Sequence, residues 1–225
     1  MLTLGIDDAG RGPLIGPMIL SGVLVDSTQA NKLKKLKVRD SKIVSQEERV
    51  ELAGLIEKNS LKIKIVISFP AEIDSAVEGS SNLNTLEAKK AGEIINSINK
   101  GKFRKNKIKV IVDCPSNNLM AWKGTLLRFI EFKDNLEVIC EHKADANHIS
   151  VAAGSIMAKV TREQEVAKIK KVHGGIGSGY ASDPITQTFL KKNGRRLSDS
   201  GIFRKSWATW KKLFPTTGQK TLDGF

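Results

Sequence analysis

The chain is short of the residues that staple or ligate many small folds. Its two cysteines, Cys114 and Cys140, stand without CxxC spacing, which argues against a structural zinc site and for a reducing compartment. Both fall at the ends of expected strands and read as packing residues. The three histidines, His142, His148 and His173, show no helical metal-ligand spacing. Nowhere do the roughly 18 apolar residues of a membrane span run together. The N-terminus, MLTLGID, reaches charge within seven residues, too early for a secretory leader. A cytoplasmic protein with no membrane partner is expected. No internal repeat or low-complexity tract is visible.

What is present is one core's worth of chain and a surplus of positive charge. With 225 residues at 40% hydrophobic content, one substantial core with a small appended unit is expected. Lysine and arginine number 37 against 24 acidic residues, a net charge of +13. Residues 156 to 225 hold 14 basic and 5 acidic residues, so they carry nine of the thirteen charges. A polyanion-binding surface needs such a basic end; a solvated lysine-rich face has the same composition.

Leu2 to Ile6, Met18 to Val25 and Leu61 to Phe69 read as strands, the third ended by Pro70. Ser45 and Glu48 form a capping box that opens a helix to about Lys58, and Asn84 with Glu87 give a related start signal for a helix over Thr85 to Asn99. Ile108 to Val112 and Leu136 to Cys140 are short apolar strands, and a long helix follows from about His148 to Lys171. Three early strands followed by alternating helices and strands predict an α/β fold, a mixed sheet flanked by helices.

Gly5 to Gly16, GIDDAGRGPLIG, is the most informative stretch. Two adjacent carboxylates end an apolar strand and run into a loop of glycines around one arginine. Carboxylate oxygens are hard ligands suited to Mg²⁺ or Mn²⁺. Gly10 and Gly12 let backbone amides approach a phosphate, with the Arg11 cation beside them. A capped strand end with a tight turn has the same letters. A dinucleotide fingerprint is disfavoured because Pro13 and Pro17 stand where its helix should open. Asp113 and Asp145 lie after two further strands, so with Asp7 and Asp8 four acids fall at the carboxyl edge of the sheet, where open α/β sheets bind ligands. Brought together they repel unless cations bind, as in a two-metal site. Taken singly, Asp113 is an ordinary turn residue and Asp145 an ordinary helix cap.

Six motifs then occur in order: GIDDAGRGPLIGP, the DSK of Asp40 to Lys42, VDCP ending at Pro115, EHKADA from Glu141, SIMAKVTRE from Ser155, and GSGYASDP from Gly177. Together they resemble the signatures of the type 2 ribonucleases H, the ribonuclease HII family, in its archaeal form, over Leu4 to about Leu213. The resemblance implies a ribonuclease H-like core over 1–172, a basic C-terminal helical extension over 173–214 that binds substrate, and a flexible tail over 215–225. It implies endonucleolytic cleavage of RNA in RNA/DNA hybrids and at ribonucleotides embedded in duplex DNA, by a monomer using two Mg²⁺ or Mn²⁺ ions. Asp7, Asp8, Asp113 and Asp145 fall on the family's metal-binding acids. Gly10, Arg11 and Gly12 fall on its glycine-arginine-glycine loop, and Tyr180, the only tyrosine, on the residue that senses the 2′-hydroxyl with it. Two departures are Asp8, where the family usually has Glu, and Gly154, where it more often has Ala.

The residues themselves agree with this chemistry. Selectivity for RNA has to come from the 2′-hydroxyl, and Tyr180 offers a flat ring with a phenolic hydrogen bond. Ser155, Lys159 and Arg162 share one face of the long helix at i, i+4 and i+7, opposite Ile149, Ala152, Ile156 and Val160. That stripe, with Lys42, suits backbone phosphates, although a solvated helix face has the same pattern. Arg195, Arg196, Arg204, Lys205, Lys211 and Lys212 are expected to add sequence-independent, salt-sensitive affinity. At the tail, Gln219, Leu222 and Phe225 fit the pattern of a peptide that binds the replication sliding clamp, without the usual second aromatic. Two competing readings are a catalytically silent hybrid-binding protein and another nuclease on the same fold.

Overall fold

The computed structural model describes residues 1–38 and 44–215. Five strands, β1 (Leu2–Ala9), β2 (Met18–Val25), β3 (Lys62–Ser68), β4 (Ile108–Asp113) and β5 (Leu136–Glu141), form one sheet in the order β3-β2-β1-β4-β5. β1 pairs antiparallel with β2, and β2 with β3; β1 pairs parallel with β4, and β4 with β5. The expected mixed sheet is therefore present. Helices α1 (Ser27–Lys35) and α2 (Gln46–Lys58) follow β2, while α3 (Pro70–Glu78) and α4 (Leu83–Ile98) follow β3. Then come α5 (Leu119–Arg128) after β4, and after β5 the short α6 (Ala144–Asn147) and long α7 (Ile149–His173). The last two helices are α8 (Pro184–Asn193) and α9 (Ala208–Leu213).

Local rules account for these ends. Ser45 and Glu48 complete the capping box of α2, and Pro70 both ends the β3 segment and occupies the first turn of α3, where its missing N–H costs nothing. The start of α4 differs from expectation. Its N-cap is Asn82, whose side chain accepts from Thr85 N at 2.9 Å. Asn84 and Glu87 are not the capping pair, because both side chains are turned toward Arg11 instead.

The sheet is covered on both faces. One core packs Leu4, Ile6, Leu20 and Val110 against α3, α4 and α5 through Ile73, Ile94 and Leu126. The other packs Val23 and Val25 against α1, α2 and α7 through Leu33, Ile56 and Ile156. The approach of α7 to β1 is very close: a Cβ at Gly5 would lie 2.2 Å from the Ser150 backbone, and one at Gly154 would lie 3.1 Å from Ser21 O. Gly5 thus lets the helix sit directly on the strand that carries Asp7. A third cluster joins the C-terminal segment to the loop after β1, with Phe189, Leu190, Phe203 and Trp210 packed on Leu14 and Ile15.

Candidate active site

Strand register creates the cleft. β1 keeps its antiparallel partner as far as Ala9↔Ile19, whereas its parallel pairing with β4 stops at Ile6↔Val112. Asp7 and Asp8 therefore lie inside β1, which runs three residues beyond its expected end at Ile6, with the β4 side open. β4 ends at Asp113, opposite Glu141. The chain then turns through Lys143, in the left-handed region at φ 55°, and α6 brings Asp145 back to the sheet edge. Ala144 N donates to Asp113 Oδ1 at 3.1 Å, which fixes that turn against β4. Ligand oxygens of Asp7, Asp113 and Asp145 lie within 4.8 Å of one another. Asp8 is not a member of this group. Alternation along β1 puts Asp7 on the α7 side with Gly5 and Asp8 on the α4 side with Leu4 and Ile6.

The electrostatics of this edge are unfavourable without cations. Asp7 is 6% exposed, and burial followed by the charges of Asp8 and Asp113 lifts its carboxyl well above the usual range, against hydrogen bonds from Ser155 and Asp8 N. Burial and then Glu87 push Asp8 up to about 7, opposed by Arg11 and Lys159. Glu87, 1% exposed, is likewise pushed to about 7 by burial, against its Arg11 partner. Buried carboxylates of this kind either hold protons or hold metal. An all-oxygen donor set suits a hard divalent cation.

Beside the acids lies a well-determined loop. Gly10 has φ +82°, and a Cβ there would meet the Arg162 side chain at 2.4 Å and Pro17 O at 2.8 Å. Arg11 pairs with Glu87 and donates to Asn84 Oδ1 at 2.8 Å. From the far end of the chain, the fully buried Arg204 donates to Gly10 O at 2.6 Å, Arg11 O at 2.7 Å and Gly16 O at 3.1 Å. Trp207 Nε1 donates to Gly12 O at 3.0 Å. Burial lowers Arg204 to about 10, still well above neutral pH, so the guanidinium remains a cation.

The loop forms one wall of a cavity of about 360 Å³ that also reaches Asp8, Lys159, Arg162 and Tyr180. Tyr180, 43% exposed, stands with Cε1 about 3.5 Å from where a Gly12 Cβ would be, and Arg162 lies 5.8 Å from its ring centroid. Asp183 steadies the tyrosine's turn by accepting from Ser178 N at 2.5 Å and Ile185 N at 2.9 Å, which holds its own carboxyl down at about 2. The α7 stripe is divided: Lys159 and Arg162 face the cavity, whereas Ser155 is 1% exposed and bonds Asp7. Lys42, and the tail residues Gln219, Leu222 and Phe225, lie outside the described residues.

Three residues of this neighbourhood, Asn84, Glu87 and Trp207, were not singled out as site residues from the sequence, and Arg204, expected to add salt-sensitive substrate affinity at the surface, is instead fully buried behind the loop. Glu87 had a signal, since positions 87, 91, 94 and 98 run along one face of α4 and the other three are Ala91, Ile94 and Ile98, all fully buried. A carboxylate on an apolar stripe needs a partner. Arg204 had none: it stands beside Lys205 in a basic segment and reads as solvated charge.

A mixed ribonuclease H-like sheet, with three aspartates converging at its carboxyl edge beside a glycine loop, defines a metal-dependent nuclease of the ribonuclease H class. The ribonuclease HII family profile matches residues 4–210. Ribonuclease HII of Methanococcus maripaludis (strain C6) is 40% identical over 213 residues, covering 94% of this chain and 87% of the relative. The crystal structure of ribonuclease H2 from Pyrococcus horikoshii OT3 is similar with a TM-score of 0.84 and 33% identity, covering 95% of this chain and 97% of that one. The PCNA:RNase HII complex from Archaeoglobus fulgidus is similar with a TM-score of 0.79 and 34% identity, covering both chains fully. The chain belongs to the ribonuclease HII family. It is a metal-dependent endoribonuclease with ribonuclease H activity on RNA/DNA hybrids. No helix of the described residues is long and apolar enough to cross a membrane.

Proposed function

We propose that the cleft hydrolyses RNA strands in hybrids and also incises at single ribonucleotides in duplex DNA, with Asp7, Asp8, Asp113 and Asp145 holding Mg²⁺ or Mn²⁺. The convergence of Asp7, Asp113 and Asp145 within 4.8 Å carries this reading. When bound, a pair of divalent ions activates the attacking water and stabilises the leaving oxygen. The protein's own groups do the rest. Ser155 orients the Asp7 carboxylate through its hydroxyl. Lys159 and Arg162 offset phosphate charge in the cavity, and the family resemblance gives Lys42 a substrate-binding role as well. Gly10, Arg11 and Gly12 present backbone to the sugar, and the Tyr180 ring closes on it, so a 2′-hydroxyl is the group read. The basic C-terminal segment adds affinity that weakens with salt.

The test is cleavage of an end-labelled DNA duplex containing one ribonucleotide, in Mg²⁺ or Mn²⁺, beside an all-DNA duplex and an Asp145→Asn variant. Metal-dependent incision 5′ to the ribonucleotide, absent from both controls, is expected. Tight binding without incision under either ion would make this a hybrid-binding protein. For the tail, Gln219, Leu222 and Phe225 dock on a sliding clamp, a reading supported by the archaeal relative solved as a PCNA complex. Removal of residues 216–225 should abolish clamp co-elution and leave hybrid cleavage unchanged.

A further inference from the structure

The four residues from Arg204 to Trp207 come from the other end of the chain, yet they supply donors to four carbonyls around the glycine loop. Three of those carbonyls, on Gly10, Arg11 and Gly16, converge on one guanidinium. The fourth, on Gly12, takes the Trp207 indole N–H at 3.0 Å. The same segment is registered on the loop by its backbone: Arg204 N donates to Leu14 O at 2.9 Å, and Phe203 bridges Ile15. Arg204 is fully buried, and no carboxylate bonds it among the described residues; its cation is met by carbonyl dipoles and by the Trp207 ring at 5.0 Å, with Asp74 and Asp8 acting on it only through their fields. Burying a cation this way is a costly means of stabilising a core that apolar residues would fill as well. Its distinctive product is geometric. A guanidinium is a rigid fork of five donors, so three carbonyls bonded to it are fixed relative to one another. With its carbonyls held, the loop has its N–H groups left to offer a substrate.

We infer that Arg204 and Trp207 are positioning residues for ribonucleotide selectivity, setting the shape of the Gly10–Gly12 loop from behind without touching substrate. This rests on the proposal that the loop senses the 2′-hydroxyl. A lysine at 204 keeps the charge but cannot hold three divergent acceptors in a plane. Phenylalanine at 207 keeps the ring and loses the indole donor. Both changes therefore loosen the loop while leaving Asp7, Asp113 and Asp145 in place.

The test measures binding, so that it is independent of turnover. In an Asp145→Asn background, which spares the substrate, affinities are compared for a duplex with one ribonucleotide and for the all-DNA duplex of the same sequence. Arg204→Lys should lower the ratio of the two affinities about tenfold, equivalent to about 1.4 kcal/mol, and Trp207→Phe severalfold. Affinity for all-DNA should stay within about twofold, a split that a merely structural role would not produce. Circular dichroism and thermal unfolding check that each variant folds; should Arg204→Lys fail to fold, Trp207→Phe decides alone. An unchanged ratio in folded variants, or a parallel loss on both duplexes, overturns the inference. If the Asp145→Asn parent itself shows no ribonucleotide preference, the sensing role of the loop falls, and the inference with it.

Discussion

At the carboxylate end of the cleft, Asp7, Asp113 and Asp145 are pressed together by strand ends and a short helix, tied by strand pairing and by the bond from Ala144 N to Asp113 Oδ1. At the glycine end, beginning three residues after Asp7, the loop itself is tightly held: the left-handed Gly10 has space only for hydrogen, the loop carbonyls have donors in Arg204 and Trp207, and Arg11 is bound by Glu87 and Asn84. One end is left electrostatically frustrated, so cation binding relieves it. The other is preorganised, so recognition there requires little rearrangement. The difference predicts opposite behaviour under mutation. Removing a group should stabilise the apo protein at the first end and destabilise it at the second.

Asp7→Asn is the sharpest way to test the frustrated end. It keeps an acceptor oxygen for Asp8 N and Ser155 while removing the buried charge. Activity should fall at least about a thousandfold, because metal-ion stabilisation contributes several kcal/mol to such transition states. The metal-free variant should nonetheless melt above the parent at pH 8. A lower melting temperature would show that the cluster is not strained. Gly10→Ala should do the reverse at the other end, costing about 1 to 3 kcal/mol from its φ of +82° and further stability from the Arg162 and Pro17 contacts. Chemical denaturation measures the loss, and hybrid cleavage should fall with it.

The same contrast has a pH signature. Asp8 and Glu87 are raised from 3.8 and 4.5 to about 7 in the folded state, and Asp7 moves in the same direction. Between those values the folded protein binds more protons than the unfolded chain, so stability from these groups is full below about pH 4 and is lost as pH rises toward 7. The metal-free melting temperature should therefore decline over that interval. Millimolar Mg²⁺ or Mn²⁺ should raise it more at pH 7.5 than at pH 5; an equal increment at both would show that the ions do not displace protons from Asp7 and its neighbour Asp8.

Much of the frustrated end was legible because strand ends announce themselves. An apolar run closed by an acid occurs at Asp7, Asp113 and near Asp145, and a parallel sheet brings such ends to one edge. The strand lengths were less legible: β1 runs on to Ala9 because β2 continues to pair with it, a fact belonging to β2 as much as to β1. The preorganised end was legible only in part. Gly10, Arg11 and Gly12 stand out locally, but their partners are 73 to 195 residues away in sequence, and no periodicity connects them. Glu87 could be found as a charge on an apolar stripe. Arg204, flanked by Lys205 in the basic C-terminal third, could not, since burial alone separates it from its solvated neighbours.

Asp8 lies between the two ends and gives the smallest expected effect. It shares the cavity wall with Gly10 and Arg11, yet it follows Asp7 directly and points to the other side of the strand. The family resemblance places Glu at this position. A longer side chain adds a methylene of reach and one more rotatable bond, enough to extend from the α4 side toward the three clustered carboxylates. Asp8→Glu should therefore raise activity in Mg²⁺ severalfold, about 1 kcal/mol or less by the usual rate scale, and shift the Mg²⁺ midpoint to lower concentration while moving the Mn²⁺ curve less. Superimposable metal-response curves for the two proteins would show that this carboxylate serves the loop, through its field on Arg11 and Glu87, and that Asp7, Asp113 and Asp145 hold the cations without it.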